Sequence, residues 1–296
     1  MTAQFFLYSG GKKVTDGMSL KKFETEEIGV FESLRTYHGQ IFQEREHLDR
    51  LLESAKTVGF SRPVDRAQIR REVRLAIREF LREKRGRIIS GHTQGQKGLP
   101  ADLFIRITVW KDDVFVMIGE RAHAAKICKA GVKLRTSSVP RSAIHAWPGE
   151  VKTTAYQNPL LAGLGPAAEE VFEWLLLDRN GYVTEVRVGN LFIVKGRTDH
   201  HRPCVLTPPT PGILNGVTRL FVIKCVLDAG MWVKEIPLTR YDVYTAEEAF
   251  LTNTSWEILP VRELDGRRIG DKIPGPATLE LQQIFKERID ELCRSH

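Results

Sequence analysis

The chain has 296 residues, 42% of them hydrophobic and 27% charged, a composition typical of a globular protein with room for two domains. No run of about eighteen apolar residues occurs, and the N-terminus lacks the regions of a signal peptide, so we expect a cytoplasmic protein outside the membrane. The net charge of +7 favours anionic small molecules as partners. The four cysteines lack the spacing of a zinc site or a disulfide framework, and no metal is expected.

The first part of the chain predicts two hairpins and a helix. QFFLYSGGKKV begins the first hairpin, and GVFESLRTYHGQIF predicts two strands that turn at His38 and Gly39. EREHLDRLLESAKTVGF follows as a helix. Its apolar face consists of Leu48, Leu51, Leu52 and Ala55.

A second helix, opened by Pro63, carries apolar residues at helical spacing and arginines at most other positions. This basic face raises the alternative of a nucleic-acid-binding protein, but no zinc finger, RNP-type motif or recognition helix accompanies it. The glycine-rich segment 86–100 predicts a mobile loop, and DLFIRITVWKDDVFVMIG predicts a strand pair.

The segment RAHAAKICKA predicts a boundary between two domains. We assign residues 1–121 to a small N-terminal domain, 122–131 to a linker and 132–296 to a larger C-terminal domain. The second domain alternates strands (GVKLRTSSV, WLLLD, TEVRVGNLFIV, VKEIPL, EAFLTNTS) with helices (LLAGLGPAAEEVF and VTRLFVIKCVLDAG, ended by Gly230). The layout predicts an α+β fold.

Four short stretches carry residue types suited to chemistry. Lys152 in VKTTAYQNPLLAG offers an amine, and Glu185 places a carboxylate in a valine-rich strand, where burial requires a charged partner. LNGVTR, residues 214–219, predicts a helix start able to bind phosphate, and TNTSWE, residues 252–257, adds hydroxyl groups. Each alone also fits a surface charge, an exposed strand or an ordinary helix start.

Together these stretches supply an amine for a Schiff base, a carboxylate for a pyridinium and a phosphate-binding helix start. In them, and in GVFESLRTYHGQIF and EHLDRLLESAK, the chain resembles the class IV aminotransferases of PLP fold type IV. That family includes branched-chain aminotransferases, D-amino-acid aminotransferases and aminodeoxychorismate lyases. The resemblance covers nearly the whole chain and implies a small N-terminal and a larger C-terminal α/β domain, a pyridoxal 5'-phosphate cofactor and a homodimer.

The resemblance also implies roles for individual residues. Lys152 is similar to the lysine that binds the cofactor and serves as the catalytic base, and Glu185 to the carboxylate that keeps the pyridine nitrogen protonated. The remaining cofactor-binding positions are Arg50, Tyr156, Leu214, Gly216, Val217, Thr218 and Thr254. The substrate positions are Phe31, Arg106 and Ser255.

Substrate choice follows less directly from the sequence. Phe104-Ile105-Arg106 keeps the arginine of the branched-chain tyrosine-x-arginine pair and lacks its tyrosine, while WKDDVFVM lacks the arginine and histidine of the D-amino-acid enzymes. Asn253 and Trp256 suggest a reshaped pocket near the substrate carboxylate. We expect ping-pong transamination between a branched-chain or other apolar amino acid and a 2-oxo acid such as 2-oxoglutarate or pyruvate. A D-amino-acid aminotransferase is the alternative, followed by an aminodeoxychorismate lyase and a catalytically silent scaffold.

Overall fold

The computed structural model describes residues 5–14, 28–60, 64–89, 102–110, 113–120, 125–141, 148–155, 171–197, 202–210 and 212–294. The chain divides into two compact units. The first comprises Met1–Ala122, Val151–Ala155 and Leu292–His296, and the second comprises His123–Glu150 and Tyr156–Glu291. The first change of unit, between Ala122 and His123, falls at the start of the predicted linker 122–131, of which residues 125–130 are helical. The return of residues 151–155 to the first unit has no signal in the sequence.

The first unit is an antiparallel sheet with two helices. Its elements are β1 Phe5–Ser9, β2 Lys12–Lys13, β3 Val30–Tyr37, β4 Gln40–Ile41, α1 Glu44–Val58, α2 Arg66–Ile89, β5 Leu103–Trp110 and β6 Asp113–Glu120. The strand order is β2-β1-β6-β5-β3-β4. Both predicted hairpins, the helix EREHLDRLLESAKTV and the strand pair DLFIRITVWKDDVFVMIG are confirmed. His38 and Gly39 turn the second hairpin with positive φ angles, which Gly39 adopts without strain.

The core of this unit lies between the sheet and one face of each helix. Leu48, Leu51 and Ala55 of α1 are buried at the helical spacing that the sequence predicts, and Ile69, Val73, Ala76 and Phe80 do the same for α2. Glycine at position 59, with φ +82°, ends α1 in the left-handed conformation. Pro63 lies outside the described residues.

The predicted loop 86–100 is partly wrong, because α2 continues to Ile89. Arginine, lysine and isoleucine around Gly86 are good or moderate helix formers, and the helix absorbs a single glycine at a cost of about 1 kcal/mol. Residues 90–100 lie outside the described part of the chain.

The second unit is built on a mixed sheet. Its elements are α3 Ala125–Ala130, β7 Val132–Thr136, β8 Glu173–Leu177, β9 Val183–Val186, β10 Asn190–Arg197, β11 Pro203–Thr207, α4 Val217–Asp228, β12 Trp232–Glu235, α5 Arg240–Tyr244, β13 Glu248–Asn253, β14 Glu257–Leu264, β15 Arg267–Arg268 and α6, Pro276–Arg294, as far as Glu291. The strand order is β12-β11-β10-β13-β14-β7-β8-β9, with β15 on β14. The α+β layout is confirmed.

One predicted strand of this unit is two strands. TEVRVGNLFIV breaks into β9 and β10 at a tight turn in which Val186 and Gly189 exchange backbone hydrogen bonds. A side chain at Gly189 would meet the carbonyl oxygen of Thr252 at 2.8 Å, so glycine permits this close approach. The turn directs Glu185 and Asn190 to the same place, as described below. The predicted helix LLAGLGPAAEEVF lies mainly outside the described residues.

Candidate active site

Lys152 lies on a short segment that pairs with strand β3. Val30 and Thr153 form an isolated antiparallel bridge, and the backbone N–H of Phe31 donates to the carbonyl oxygen of Lys152 over 3.1 Å. On the other side, the Ser54 hydroxyl of α1 accepts a 3.2 Å hydrogen bond from the Lys152 backbone N–H. Strand and helix together fix the backbone that carries the amine.

The next residues strengthen this attachment. Thr154 donates its backbone N–H to the carbonyl oxygen of Gly29 over 2.8 Å, and its hydroxyl accepts from the Gly29 N–H over 2.9 Å. A Cβ at Gly29 would lie 2.5 Å from the indole nitrogen of Trp110, so this position excludes larger residues. Lys152 is therefore followed by a residue that binds Gly29 through both its backbone and its hydroxyl.

The Lys152 amine is surrounded by protein. Its side chain is 13% exposed, and Nζ lies 3.6 Å from Oε2 of Glu32 and 5.0 Å from the centroid of the Phe31 ring. Burial lowers the pKa of the amine to about 8, with the charges of Arg50 and Arg106 acting in the same direction and that of Glu32 opposing them. An amine with this pKa is neutral far more often near pH 7 than an ordinary lysine.

Glu32 is the functional candidate that the sequence did not identify. Its buried carboxylate accepts two hydrogen bonds from Arg50, at 2.6 and 2.9 Å, and lies 2.7 Å from Nδ1 of His47. Burial alone would raise the pKa of this carboxyl, but the charges of Arg50 and Lys152 and the His47 hydrogen bond hold it well below its ordinary value. A signal existed: His47 and Arg50 lie one helical turn apart beside the apolar residues of α1, where partly buried basic side chains favour an acidic partner.

Phe31 and Arg106 lie beside the amine. The guanidinium carbon of Arg106 on β5 is 4.0 Å from the centroid of the Phe31 ring, so two cations approach one aromatic ring. Burial lowers the pKa of Arg106. Of the predicted residues, the first unit thus brings together Lys152, Arg50, Phe31 and Arg106.

Glu185 is buried in the second unit, and its partners come from three segments. Oε1 accepts from Nε of Arg141 at 2.7 Å, and Oε2 accepts from the backbone N–H of Leu214 at 3.0 Å and lies 3.5 Å from Nδ2 of Asn190. Asn190 also donates to the Leu214 carbonyl oxygen over 2.8 Å. The prediction that Glu185 needs a positively charged partner when buried is met within the protein by Arg141, a residue the sequence did not single out.

The start of α4 presents backbone donors without a side-chain cap. Gly216 is the N-cap residue, no acidic residue occupies the first turn, and Val217 and Thr218 are buried. A Cβ at Gly216 would lie 2.3 Å from Oδ1 of Asn190, so only glycine fits here. Helix N-termini of this kind bind anions through their N–H groups and the helix dipole.

The stretch TNTSWE forms the turn between β13 and β14. Oδ1 of Asn253 accepts from the backbone N–H groups of Ser255 and Trp256, at 2.8 and 2.7 Å, while the Trp256 ring packs 5.1 Å from that of Phe172. Thr252 is buried at the end of β13 with no hydrogen-bond partner for its hydroxyl. The second unit thus connects Glu185, Leu214 and Gly216 through Asn190, and places Thr254 and Ser255 in this turn. Tyr156 lies outside the described residues.

The side chains present fit the cofactor that the resemblance implies. A buried amine of lowered pKa suits a carbonyl carbon, a helix start without a side-chain cap suits a phosphate, and a buried carboxylate suits a protonated ring nitrogen. Within the described ranges, no three His, Cys, Asp or Glu side chains are grouped so that they could hold a metal ion. Burial raises the pKa of the Cys225 thiol to about 12, which makes it unreactive.

Comparison with known proteins gives one consistent family. The family model described as amino-transferase class IV matches residues 29–264. A branched-chain-amino-acid aminotransferase of Pseudomonas aeruginosa is 32% identical over 278 residues, which cover 91% of this chain and 86% of that protein. Among solved structures, the branched-chain amino acid aminotransferase of Escherichia coli superimposes with a TM-score of 0.78 at 27% identity, covering 97% of this chain and 94% of its own. The branched-chain amino acid aminotransferase of T.th., solved with pyridoxamine 5'-phosphate, gives 0.77 at 26% identity, covering 98% and 95%.

Proposed function

Because the chain belongs to the class IV aminotransferases and is a PLP-dependent transaminase, we propose that it moves the amino group of a branched-chain or other apolar L-amino acid to a 2-oxo acid. The acceptor is 2-oxoglutarate or pyruvate, and the two half-reactions alternate. The buried amine of Lys152 is the observation that carries this proposal. The fold of the protein is that of the solved branched-chain enzymes of fold type IV.

Lys152 is the proposed catalytic residue. The cofactor, when bound, supplies a conjugated ring that takes up the electrons released when the substrate Cα–H bond breaks. Nζ of Lys152 accepts the proton from the substrate Cα, for which the amine must be neutral. With a pKa of about 8, about one amine in ten is neutral at pH 7, compared with about one in three thousand at the ordinary value of 10.5.

The other residues bind and orient. Arg50, Val217, Thr218 and Thr254 would supply donors for the phosphate beside Gly216, and Leu214 and Tyr156 would bind the ring. Glu185, whose carboxylate is oriented by Nε of Arg141, would face the protonated ring nitrogen of the cofactor. Phe31, Arg106 and Ser255 form the substrate side. These roles come from the resemblance, and the burial and hydrogen bonds of the described residues support them.

The branched-chain preference rests on the relatives and on Arg106. The matching relatives and solved structures described above bear branched-chain names, which does not favour the D-amino-acid and lyase alternatives. We further place the protein in the cytoplasm as a homodimer that acts on small molecules. Arg66 and Arg70 of the basic helix pair with Asp49 and Glu44 of α1, which leaves less free positive charge for nucleic acid. No helix in the described part of the chain is long and apolar enough to cross a bilayer.

The test is an absorption spectrum of the protein loaded with PLP, recorded before and after addition of L-leucine or D-alanine. L-leucine should convert the cofactor band to that of the amine form, and 2-oxoglutarate or pyruvate should restore it, while D-alanine changes nothing. Conversion by D-alanine alone would establish the D-amino-acid alternative. Release of many product molecules per bound cofactor from aminodeoxychorismate, with no 2-oxo acid added, would establish the lyase. A protein with no cofactor band, equal to its Lys152→Ala variant, would overturn the proposal.

A further inference from the structure

Glu32 connects the Lys152 amine to helix α1. Its carboxylate is fully buried, and Oε2 lies within 3.6 Å of three nitrogen atoms from two parts of the chain: Nδ1 of His47, Nη2 of Arg50 and Nζ of Lys152. Oε1 accepts a hydrogen bond from Nε of Arg50 over 2.6 Å. No role for Glu32 follows from the family-derived assignment of the site.

The charges around Lys152 are unequal. Arg50 from α1 and Arg106 from β5 both act against the protonated amine, and Glu32 from β3 acts in its favour. His47 also faces Glu32, but burial lowers the pKa of its imidazole, so the ring is neutral near pH 7 and its Nδ1 carries the proton that the carboxylate accepts. Among the described residues, Glu32 is the negative charge that offsets part of the effect of Arg50 and Arg106 on the amine.

We propose that Glu32 is a positioning residue. Its carboxylate controls whether Lys152 carries a proton, and it stabilises that proton on the amine between transfers. The inference rests on the proposed function of Lys152 as the base. The separation of 3.6 Å is too long for a strong hydrogen bond, so the amine keeps the freedom to reach a substrate atom while it stays in the field of the carboxylate. The two hydrogen bonds from Arg50 keep the carboxylate ionised and fix its orientation.

The hydrogen bonds from Arg50 also limit how strongly the Glu32 carboxylate stabilises the protonated amine of Lys152. A carboxylate that already accepts from a guanidinium and an imidazole stabilises a further cation less than a free one would. Near the pKa of about 8, the amine therefore populates both its protonated form and the neutral form that can accept a proton. Removing the charge of Glu32 should lower the pKa of the amine, and removing the charge of Arg50 should raise it.

The experiment measures the titration of Lys152 in the cofactor-free protein. The protein is labelled at trace level with acetic anhydride over a pH series, and the extent of labelling is determined on the peptide that contains Lys152 by mass spectrometry. Wild type should give a midpoint near pH 8. Glu32→Gln should lower the midpoint by about one pH unit, the effect of losing one nearby opposite charge. Glu32→Asp keeps that charge, so its midpoint should lie close to the wild-type value.

A matched control is Glu173→Gln. Glu173 is a buried strand carboxylate that pairs with Arg187 and accepts from the Trp174 N–H at 2.9 Å, and it belongs to the second unit. Its variant loses a comparable buried charge, and the Lys152 midpoint should stay at the wild-type value. If Glu32→Gln does not fold, Arg50→Met provides the second test, because loss of that positive charge should raise the midpoint.

An unchanged midpoint in Glu32→Gln, or in Arg50→Met where that variant is used, overturns the inference. PLP binding is measured on the same samples by absorbance. A protein that takes up PLP but shows no shift retains the proposed function without the role of Glu32. A wild-type protein that never binds PLP fails as a transaminase, and a midpoint that still shifts in Glu32→Gln keeps the electrostatic link between the two residues.

Discussion

Glu32 and Lys152 are 120 positions apart in the sequence, and their charged atoms are 3.6 Å apart in the fold. The amine is attached to strand β3 through the Val30–Thr153 bridge, and β3 also carries Glu32. The same strand therefore positions the proposed base and the group that controls its proton. This relationship links the stability of the first unit to the chemistry of the site.

A buried amine should lower stability. Below about pH 8 the folded and unfolded chains both hold the Lys152 proton, and the folded state bears the full cost of its burial. Between about pH 8 and 10.5 the unfolded chain binds more protons, so the free energy of unfolding rises with pH. Lys152→Met should therefore raise the free energy of unfolding of the cofactor-free protein at pH 7 by about 2 kcal/mol.

Urea unfolding of both proteins at pH 7 and at pH 10 measures this effect, and the difference should shrink at the higher pH. Lys133→Met, at a half-buried position of β7, provides the control and should show no such dependence. A Lys152→Met protein less stable than wild type at pH 7 would contradict the prediction.

Glu185 should act on stability through Arg141 and on chemistry independently of it. Glu185→Gln leaves a buried guanidinium without its charge partner, which should cost about 3 kcal/mol of unfolding free energy. Adding Arg141→Met should recover part of that loss. The conversion of bound PLP by L-leucine should stay slow in both variants; recovery of the conversion rate in the double variant would assign Glu185 a structural role alone.

Gly216 should accept no side chain. Gly216→Ala would place Cβ 2.3 Å from Oδ1 of Asn190. Because Nδ2 of the same side chain donates to the Leu214 carbonyl oxygen, the loop before α4 must move with it. We expect weaker PLP binding, by about tenfold or more, measured by fluorescence titration. Gly181→Ala is the control: it has φ +85° and open space around it, so it should cost about 1 kcal/mol in stability and leave PLP affinity unchanged.

Trp256 tests the expectation of a reshaped substrate pocket. Trp256→Phe keeps a ring against Phe172 but removes volume from the β13–β14 turn. If the indole shapes the pocket, the ratio of kcat/KM for L-leucine over L-alanine should change about tenfold, the scale of a small volume change in an apolar pocket. Trp232→Phe alters an exposed tryptophan of β12 and should leave the ratio as it is. The same ratio in wild type and Trp256→Phe would count against the expectation.

Local patterns predicted most of the first unit. The spacing of Leu48, Leu51 and Ala55 gives α1, and the His38-Gly39 turn gives the β3–β4 hairpin, because both depend on residues close in sequence. The continuation of α2 to Ile89 and the division of TEVRVGNLFIV were not predicted, because a glycine within a helix and a glycine within a turn look alike in a sequence.

The sequence proposes individual positions of the candidate site more readily than the bonds between them. Lys152, Arg50 and Glu185 stand in recognisable stretches, whereas Glu32 and Arg141 acquire meaning only from partners far along the chain. Glu32 is at an inward position of β3, where a carboxylate is usually excluded. Only folding brings to it the three donors that make its burial favourable.

The attachment of residues 151–155 to the first unit also sets an order of events during synthesis. About 120 residues separate Val30 from Thr153, and a ribosome adding about 5–20 residues per second needs about 6–25 seconds to cover them. During this interval, Arg50 and His47 can already pair with Glu32, while the lysine has not yet been made. Synthesis in this order lets the Glu32 carboxylate take its place before Lys152 is made, so that the positive charge of Lys152 can be buried next to its counter-charge.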